Sequence, residues 1–448
     1  YEIGVRLVGS EMCIRDRSYV YHKIVKESQL RGGRLMTSKY ETESKGYTMT
    51  TVMQEAARCL LCHDAPCSQA CPAHTNPAKF IRSVLFRNVK GAAETIRENN
   101  ALGSICARVC PTERYCEKAC TRAKIDGPID IGGIQRYVTD MERKMNMKIL
   151  KAGKPNGMSI AIIGSGPSGL QAATTLREKG YAVDIYEKAA KAGGYLTYGI
   201  PEYRLPEEIV DYEVQRIVDL GAHIIYNTTV GKDISMDDLK ARYNAVIVAI
   251  GTSEAKMLPM FEHNICTESA ISFLARAKES KGNLEDLPQN VLVIGGGDVA
   301  MDVVTTLKKL NVPYVTDVIY EQFDEFKASK KELAGAQEAG VTIVDGYVPK
   351  EVHQNRATFT HRKIKSELTI TADKIILAVG QKANAEGLDI DLQHNEIPFR
   401  EPRFRTKDPK VFATGDIVAG DKTVVVAVQK GKEVAEEIDR LLGGQEND

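Results

Sequence analysis

Apolar residues along this chain keep two different rhythms. Between residues 50 and about 150 they recur at helical spacing: in NPAKFIRSVLF, Phe80, Ile81, Val84 and Leu85 share one face, with Asn76 placed to cap and Pro77 in the first turn. VKGAAETIREN repeats the helical pattern. Further on, the pattern changes to short unbroken apolar runs of strand length, each entering a turn. MSIAIIGSGPSGLQAATTLREKGYAVDIYEK (158–188) reads as run, glycine turn, helical stretch and second run, and NVLVIGGGDVAMDVVTTLKKLNVPYVTDVIYEQ (290–322) reads the same way. Such βαβ units predict parallel sheets. DPKVFATGDIVAGDKTVVVAVQKGKEVAEEI (408–438) adds one short strand and a helix rich in Ala and Val. The order predicts an α-helical domain over 50–150, then two α/β Rossmann-like domains, one inserted in the other. The outer one takes 151–258 and 383–448, the inner one 259–382.

Residues 1–49 keep neither rhythm. YEIGVRLVGSEMCIRDRS lacks the basic start, apolar centre and small-residue cleavage site of a signal peptide, so the segment is read as a disordered or artefactual extension, with Met36 or Met49 as the natural start. The longest apolar runs, such as VIVAIG (246–251) and IILAVG (375–380), fall far short of the ~18 residues of a membrane span, which predicts a soluble, cytoplasmic protein. Lys plus Arg and Asp plus Glu are 60 each in 448 residues, so net charge selects neither a nucleic acid nor an anionic membrane.

Cysteine placement changes the picture. Of ten cysteines, eight lie between Cys59 and Cys120: Cys59, Cys62, Cys67, Cys71, Cys106, Cys110, Cys116 and Cys120; Cys13 and Cys266 stand alone. Without a secretion signal, disulfides are disfavoured because cytosolic thiols stay reduced. Zinc would want two close pairs split by a finger-like spacer, whereas CLLCHDAPCSQACP crowds four thiols into one loop that ends in proline. That ending, C-x3-C-P, is shared with two-cluster ferredoxins, although the middle spacing here is four residues rather than two. ICARVCPTERYCEKAC supplies further thiols, and eight thiols match the eight iron corners of two [4Fe–4S] clusters. Two such clusters are the favoured reading, with zinc as the alternative.

The glycine turns carry the second chemistry. In the first, Gly164 makes the tight turn, Gly166 lets a pyrophosphate approach the helix N-terminus, and Gly169 permits close helix–strand packing; Glu187, about 20 residues on, is placed to accept from ribose hydroxyls. Gly295, Gly297 and Ala300 repeat these positions, so two dinucleotide sites are expected. The second strand is followed by Tyr320 and Glu321 with no arginine cluster, which favours NAD(H) over NADP(H). Asp416 stands where a carboxylate receives a flavin's ribityl hydroxyls, with a helix following. Nicotinamide gives two electrons at once and each cluster takes one, so a flavin between them is expected as the converter. Hydride transfer needs alignment more than a protein acid or base, and no catalytic side chain is assigned. His63 is read as an exposed loop residue, Cys266 as a buried thiol, and FDEFKASKKEL (323–333) as a solvated helix surface.

CLLCHDAPCSQACPAHTNPAKFIR, ENNALGSICARVCPTERYCEKACTRA, GPIDIGGIQRYVTD, GIPEYRLP, LVIGGGDVAMDV, ADKIILAVGQ and the FATGDIV and GDKTVV segments together resemble the glutamate-synthase small-subunit family. Within it, the flavin-and-cluster subunits of bacterial NAD-dependent dihydropyrimidine dehydrogenases are the most similar, from about Gln54 to Glu437. The resemblance implies one cluster on Cys59, Cys62, Cys67 and Cys120, and the other on Cys71, Cys110, Cys116 and the Gln135 side chain, leaving Cys106 free. Counting thiols alone would use Cys106, so the last ligand stays open between the two. The resemblance also implies FAD at Gly164–Gly169, Glu187, Arg204 and Asp416, and NAD(H) at Gly295–Ala300. Gly194, Val230, Gly380, Gly415 and Thr423 are further cofactor-binding positions, and Glu321 joins them. It further implies a separate partner subunit with FMN and iron–sulfur clusters that reduces uracil or thymine. The rival expectations are a glutamate synthase small subunit, a ferredoxin-linked bifurcating flavoprotein, and a redox sensor without turnover.

Overall fold

A computed structural model describes residues 46–285, 287–390, 392–394, 396–398 and 404–443. Most of the expected 1–49 extension, with Cys13, lies outside the described residues.

The helical domain forms as its periodicity dictates. Asn76 Oδ1 accepts from Lys79 N at 3.0 Å and Pro77 sits in the first turn of the helix Pro77–Leu85. Asn88 and Asp130 cap the helices Val89–Arg97 and Ile131–Lys144 in the same way. Phe80, Ile81, Val84, Ile96, Ile134 and Val138 bury against one another, whereas Leu85 is only partly buried and Phe86, just past the helix end, faces solvent.

Two parallel sheets follow. The chain forms β1 (Ser159–Ile163), β2 (Ala182–Tyr186), β3 (Ala222–Ile225), β4 (Ala245–Val248), β5 (Glu254–Ala255), β6 (Thr267–Ser269), β7 (Asn290–Ile294), β8 (Tyr314–Ile319), β9 (Thr342–Asp345), β10 (Tyr347–His353), β11 (Arg356–His361), β12 (Glu367–Thr371), β13 (Lys374–Leu377), β14 (Gln381–Lys382) and β15 (Val411–Ala413). The first sheet has the order β15-β4-β1-β2-β3 and the second β6-β13-β7-β8-β9; β10-β11-β12 form an antiparallel sheet beside the second. Both faces of each sheet are covered, those of the second by helices on one side and by Ala357 and Phe359 of β11 on the other, which is why β1, β4 and β7 read as continuous apolar runs rather than alternating ones. Strand β15 pairs with β4 across the whole intervening domain, in the register Val411↔Val246. The two crossings between the sheets are tied by the antiparallel ribbon β5–β14.

Buried charges join these parts. Arg97, in the helical domain and 2% exposed, donates Nε to both Glu142 oxygens (3.2 and 2.9 Å) and pairs through Nη2 with Glu213 (2.9 Å) on the helix Glu207–Asp219 of the first sheet domain. Arg216 closes the network onto Glu142 and Glu213. Burial pushes the Glu213 carboxyl up, but Arg97 and Arg216 outweigh it and hold it below the ordinary range. Lys278, on the inserted domain's helix Ala270–Glu279, donates Nζ to the Leu196, Ile200 and Leu205 carbonyls at 2.7, 2.7 and 3.1 Å. Burial lowers its pKa to about 8.

Asp317 on β8 breaks the pattern. It shares a strand face with Val315 and Ile319, it is fully buried, and neither carboxylate oxygen has a hydrogen-bond partner among the described residues. Burial raises its pKa well above the usual carboxylate range, so the native state keeps a proton that the unfolded chain releases. Its contribution is therefore lost as pH rises from that range. Asp317→Val is expected to stabilise the protein by about 1–3 kcal/mol. In chemical denaturation the gain should be larger at neutral pH than at acidic pH.

Candidate functional site

The thiols separate into two groups. Cys59, Cys62, Cys67 and Cys120 line one small cavity with Ile81, Ile129 and Ile131. Burial raises the pKa of Cys59, and pushes Cys67 up to about 11. Burial also raises Cys110 far above its usual value, and the neighbouring Cys106, Cys116 and Cys71 add to this, which marks these four as a second group. Cys71, Cys106 and Cys110 pack against the core of the first sheet domain, while Cys59, Cys67, Cys116 and Cys120 pack in the helical core. Gln135 is buried and donates Nε2 to the Gly103 carbonyl (2.9 Å), at the start of the helix Gly103–Val109 that carries Cys106. Among the described residues no three His, Cys, Asp or Glu groups converge as a single ion would need. Thiols gathered this closely are the donor set an iron–sulfur cluster takes, and bound iron would displace their protons.

A cavity of about 900 Å³ opens at the carboxyl ends of the first sheet's strands. Gly164, Gly166, Glu187, Gly194, Val230, Gly380, Asp416 and Thr423 all line it, with Ile271 and Val299 of the inserted domain completing the wall. The glycines behave as their positions require. Gly164 has φ +101°, and a Cβ on it would lie 2.6 Å from the Ala249 carbonyl oxygen; a Cβ on Gly169 would lie 2.2 Å from the Gly164 oxygen. Around Gly166 a Cβ would meet nothing within 4 Å among the described residues, leaving the start of the helix Pro167–Glu178 open. A second helix, Val424–Gly443, begins at the same cavity, so two positive helix ends face it. Gly415 (φ +82°) lies behind the wall, against the Ser168 hydroxyl.

Two carboxylates in this cavity differ. Glu187 is buried and already accepts from Ser165 N (3.0 Å), Ser165 Oγ (2.5 Å) and Ala189 N (2.8 Å), which fixes its orientation and leaves little acceptor capacity for a ribose. Asp416 Oδ1 is buried with no partner among the described residues. Its carboxyl is raised by burial against the pull of Lys430 and Lys422. An orphaned acceptor beside open helix ends fits a dinucleotide bearing both hydroxyls and a pyrophosphate, as FAD does.

The second glycine turn has the same kind of local geometry. A Cβ on Gly296 would lie 2.7 Å from Glu321 Oε2, and one on Gly297 would meet nothing within 4 Å among the described residues. Ala300 is fully buried at the packing position. Glu321 pairs with Lys327 at 2.6 Å, and Arg362, from the end of β11, stacks on Tyr320 at 3.9 Å. Lys327 thus pairs with this acid, and Arg362 comes to the neighbouring Tyr320 from a strand end that sequence spacing did not reveal. Arg204 is placed away from the cavity wall: it is buried between Asp302 (2.6 Å) and Glu332 (3.0 Å), joining the outer domain to the inserted one. His63 is exposed, and Cys266 is partly rather than fully buried. Residues missed from sequence include Ser165, Lys430, Arg114 and Tyr115, each of which acts through a partner remote in the chain.

Comparison with known proteins agrees with this geometry. Residues 36–147 match a family described as dihydropyrimidine dehydrogenase domain II, 4Fe-4S cluster, and residues 158–431 match the pyridine nucleotide-disulphide oxidoreductases. The NAD-dependent dihydropyrimidine dehydrogenase subunit PreT of Escherichia coli O157:H7 is 54% identical over 399 residues, covering 89% of this chain and 96% of that protein. This chain belongs to the family of that dehydrogenase subunit. The glutamate synthase (NADPH) small chain of Escherichia coli K12 is more distant, 30% identical over 439 residues and covering 89% and 92%. Among solved structures, Mycobacterium tuberculosis FprA superposes with a TM-score of 0.55 at 18% identity, over 65% of this chain and 86% of that one. Thioredoxin reductase from T. acidophilum gives 0.52 at 20%, over 64% and 98%. These two share the fold. The dehydrogenase-subunit family thereby brings an iron–sulfur oxidoreductase with [4Fe–4S], FAD and NAD(H) as cofactors. No helix among the described residues is long and apolar enough to cross a membrane.

Proposed function

We propose that this chain is the electron-input subunit of an NAD-dependent dihydropyrimidine dehydrogenase. It oxidises NADH and passes the electrons through FAD and two [4Fe–4S] clusters to a partner FMN and iron–sulfur subunit, which reduces uracil or thymine. Overall, NADH and a proton become NAD⁺, and two electrons with two protons add across the pyrimidine C5–C6 double bond. The observation that carries the reading is the shared wall of the large cavity: Val299, beside the second glycine turn, lines it together with Gly166 and Asp416, so a dinucleotide at each turn would bring its reacting end to that cavity. The curated relatives named for this activity support the same reading.

In this proposal Gly164, Gly166, Gly169, Gly194, Val230, Gly380, Gly415, Asp416 and Thr423 shape the FAD site. Glu187 braces its turn, and Arg204 holds the inserted domain beside it. Gly295, Gly297, Ala300 and Glu321 receive NAD(H). Cys59, Cys62, Cys67 and Cys120 hold one cluster; Cys71, Cys110, Cys116 and Gln135 hold the other, nearer the flavin domain. Bound flavin supplies the conversion of a hydride pair into single electrons. The protein's own task is to align the two dinucleotides and exclude water, which needs no side-chain acid or base.

Anaerobic titration of the cluster-loaded chain with NADH and with NADPH, followed by flavin and iron–sulfur absorbance, tests this. Bleaching by NADH in preference to NADPH supports the proposal; preference for NADPH points to glutamate synthase instead, and no bleaching with flavin bound overturns electron input. Glu321 sets this preference by repelling a 2′-phosphate while tying up Lys327. Glu321→Ala is expected to lower the NADH:NADPH ratio of kcat/KM by about tenfold to a hundredfold, the worth of one charged hydrogen bond.

A further inference from the structure

The segment between Cys110 and Cys116 belongs to the helical domain, yet it touches both dinucleotide sites. Tyr115 Oη donates to Asp421 Oδ2 (3.2 Å) and lies 3.4 Å from Thr423 Oγ1, on the wall of the large cavity. Its neighbour turns the other way: Arg114 Nη2 donates to the Lys327 carbonyl at 2.6 Å and lies 3.7 Å from Asp298 Oδ2. Asp298 is the first residue of the helix Asp298–Lys309 that follows the second glycine turn, and its other oxygen accepts from Ser329 N at 2.6 Å. Arg114 therefore spans the two segments that frame the second site, the helix start and the stretch beyond Glu321. Next to Asp298, Val299 forms part of the large cavity's wall.

We infer that Arg114 is a positioning residue, a latch that holds the inserted domain in the orientation that turns Val299 and the second glycine turn toward the large cavity. Because Arg114 and Tyr115 are adjacent, one short segment between two thiols sets both the facing of the two dinucleotide sites and their distance from the second thiol group. Arg204 and Lys278 hold the inserted domain through buried partners. Arg114 and Asp298 are instead 39% and 37% exposed, so their pairing is weak enough to open and close during turnover. A modest bias of this kind shifts the population of the aligned orientation without locking it.

The inference rests on the proposed passage of electrons from NADH to flavin, and two measurements on the loaded protein separate the two. In Arg114→Ala, amide hydrogen exchange is expected to quicken in 111–116 and 326–332 while iron and flavin contents match the parent. NADH-driven flavin reduction should slow by about tenfold to a hundredfold, as a small misalignment does, and NADH affinity should change less than about twofold. Arg114→Lys should restore most of the rate. Unchanged exchange and rate in Arg114→Ala overturn the latch, as does exchange that quickens everywhere with loss of iron, which marks a purely structural role. If the parent protein itself is not reduced by NADH, the electron-input proposal fails, and the exchange comparison still decides the latch.

Discussion

Gly166→Ala should give a protein that folds, keeps its iron and holds almost no flavin. Gly166 has φ −69°, a backbone conformation alanine adopts freely, and its added methyl would meet no described atom within 4 Å. The substitution costs the protein itself nothing. It fills the open space at the start of Pro167–Glu178, where the pyrophosphate of the proposed FAD must approach the backbone. Gly169→Ala is the contrasting case. Its Cβ would sit 2.2 Å from the Gly164 oxygen, so helix and turn must separate, and a loss of about 1–3 kcal/mol or more is expected together with the flavin. Flavin-to-protein absorbance, iron content and thermal unfolding, measured together, distinguish the two. Full flavin occupancy in Gly166→Ala would move the cofactor away from this turn.

Arg97→Met should destabilise the protein by about 3–5 kcal/mol, because it leaves buried carboxylates with one cation fewer. Glu142 and Glu213, both fully buried, would share Arg216 alone. The same guanidinium also holds the Ala101 carbonyl (2.5 Å) and the Ser104 hydroxyl (3.2 Å) beside the Cys106 helix, so the seam between thiol domain and cavity domain should loosen first. Chemical denaturation measures the loss. The acid side of the stability profile gives a second check. Glu213 is held below its ordinary pKa, so its contribution is present at neutral pH and fades as pH falls below the ordinary carboxylate range. With Arg97 gone, that acid-side slope should flatten. A variant as stable as the parent, with the same slope, would show that the network does not hold the seam.

Much of this architecture was legible because it rests on local patterns. Asn76, Asn88 and Asp130 each cap through an atom three residues away, and the glycine turns carry their requirements in the spacing itself. Eight of the expected cofactor-binding positions line one cavity because strand ends and helix starts of a parallel sheet must meet there. What stayed hidden depends on long-range geometry. Arg204 looks like a cofactor ligand in GIPEYRLP, yet its partners lie 98 residues on at Asp302 and further on at Glu332. Arg362 stacks on Tyr320, next to Glu321, from another strand end, so the absence of arginines beside that pair in sequence described only part of its surroundings. Asp317 gave no signal at all, since one acid in a strand pattern reads as a solvent-facing position until both sheet faces are known to be covered.

The pairing of β15 with β4 also dictates an order of assembly. During synthesis β4 emerges with its outer edge bare, and its partner follows only after the whole inserted domain, whose own sheet is complete by residue 377. The inserted domain can therefore mature first, while the outer one waits on a contact some 165 residues distant in the chain. Asp416, Thr423 and the Val424–Gly443 helix come later still. Both glycine turns would already have left the ribosome, but a nascent chain lacking these last pieces has only part of a pocket. Binding of the proposed flavin would then wait for Asp416, Thr423 and this helix, and would help hold the outer sheet domain closed.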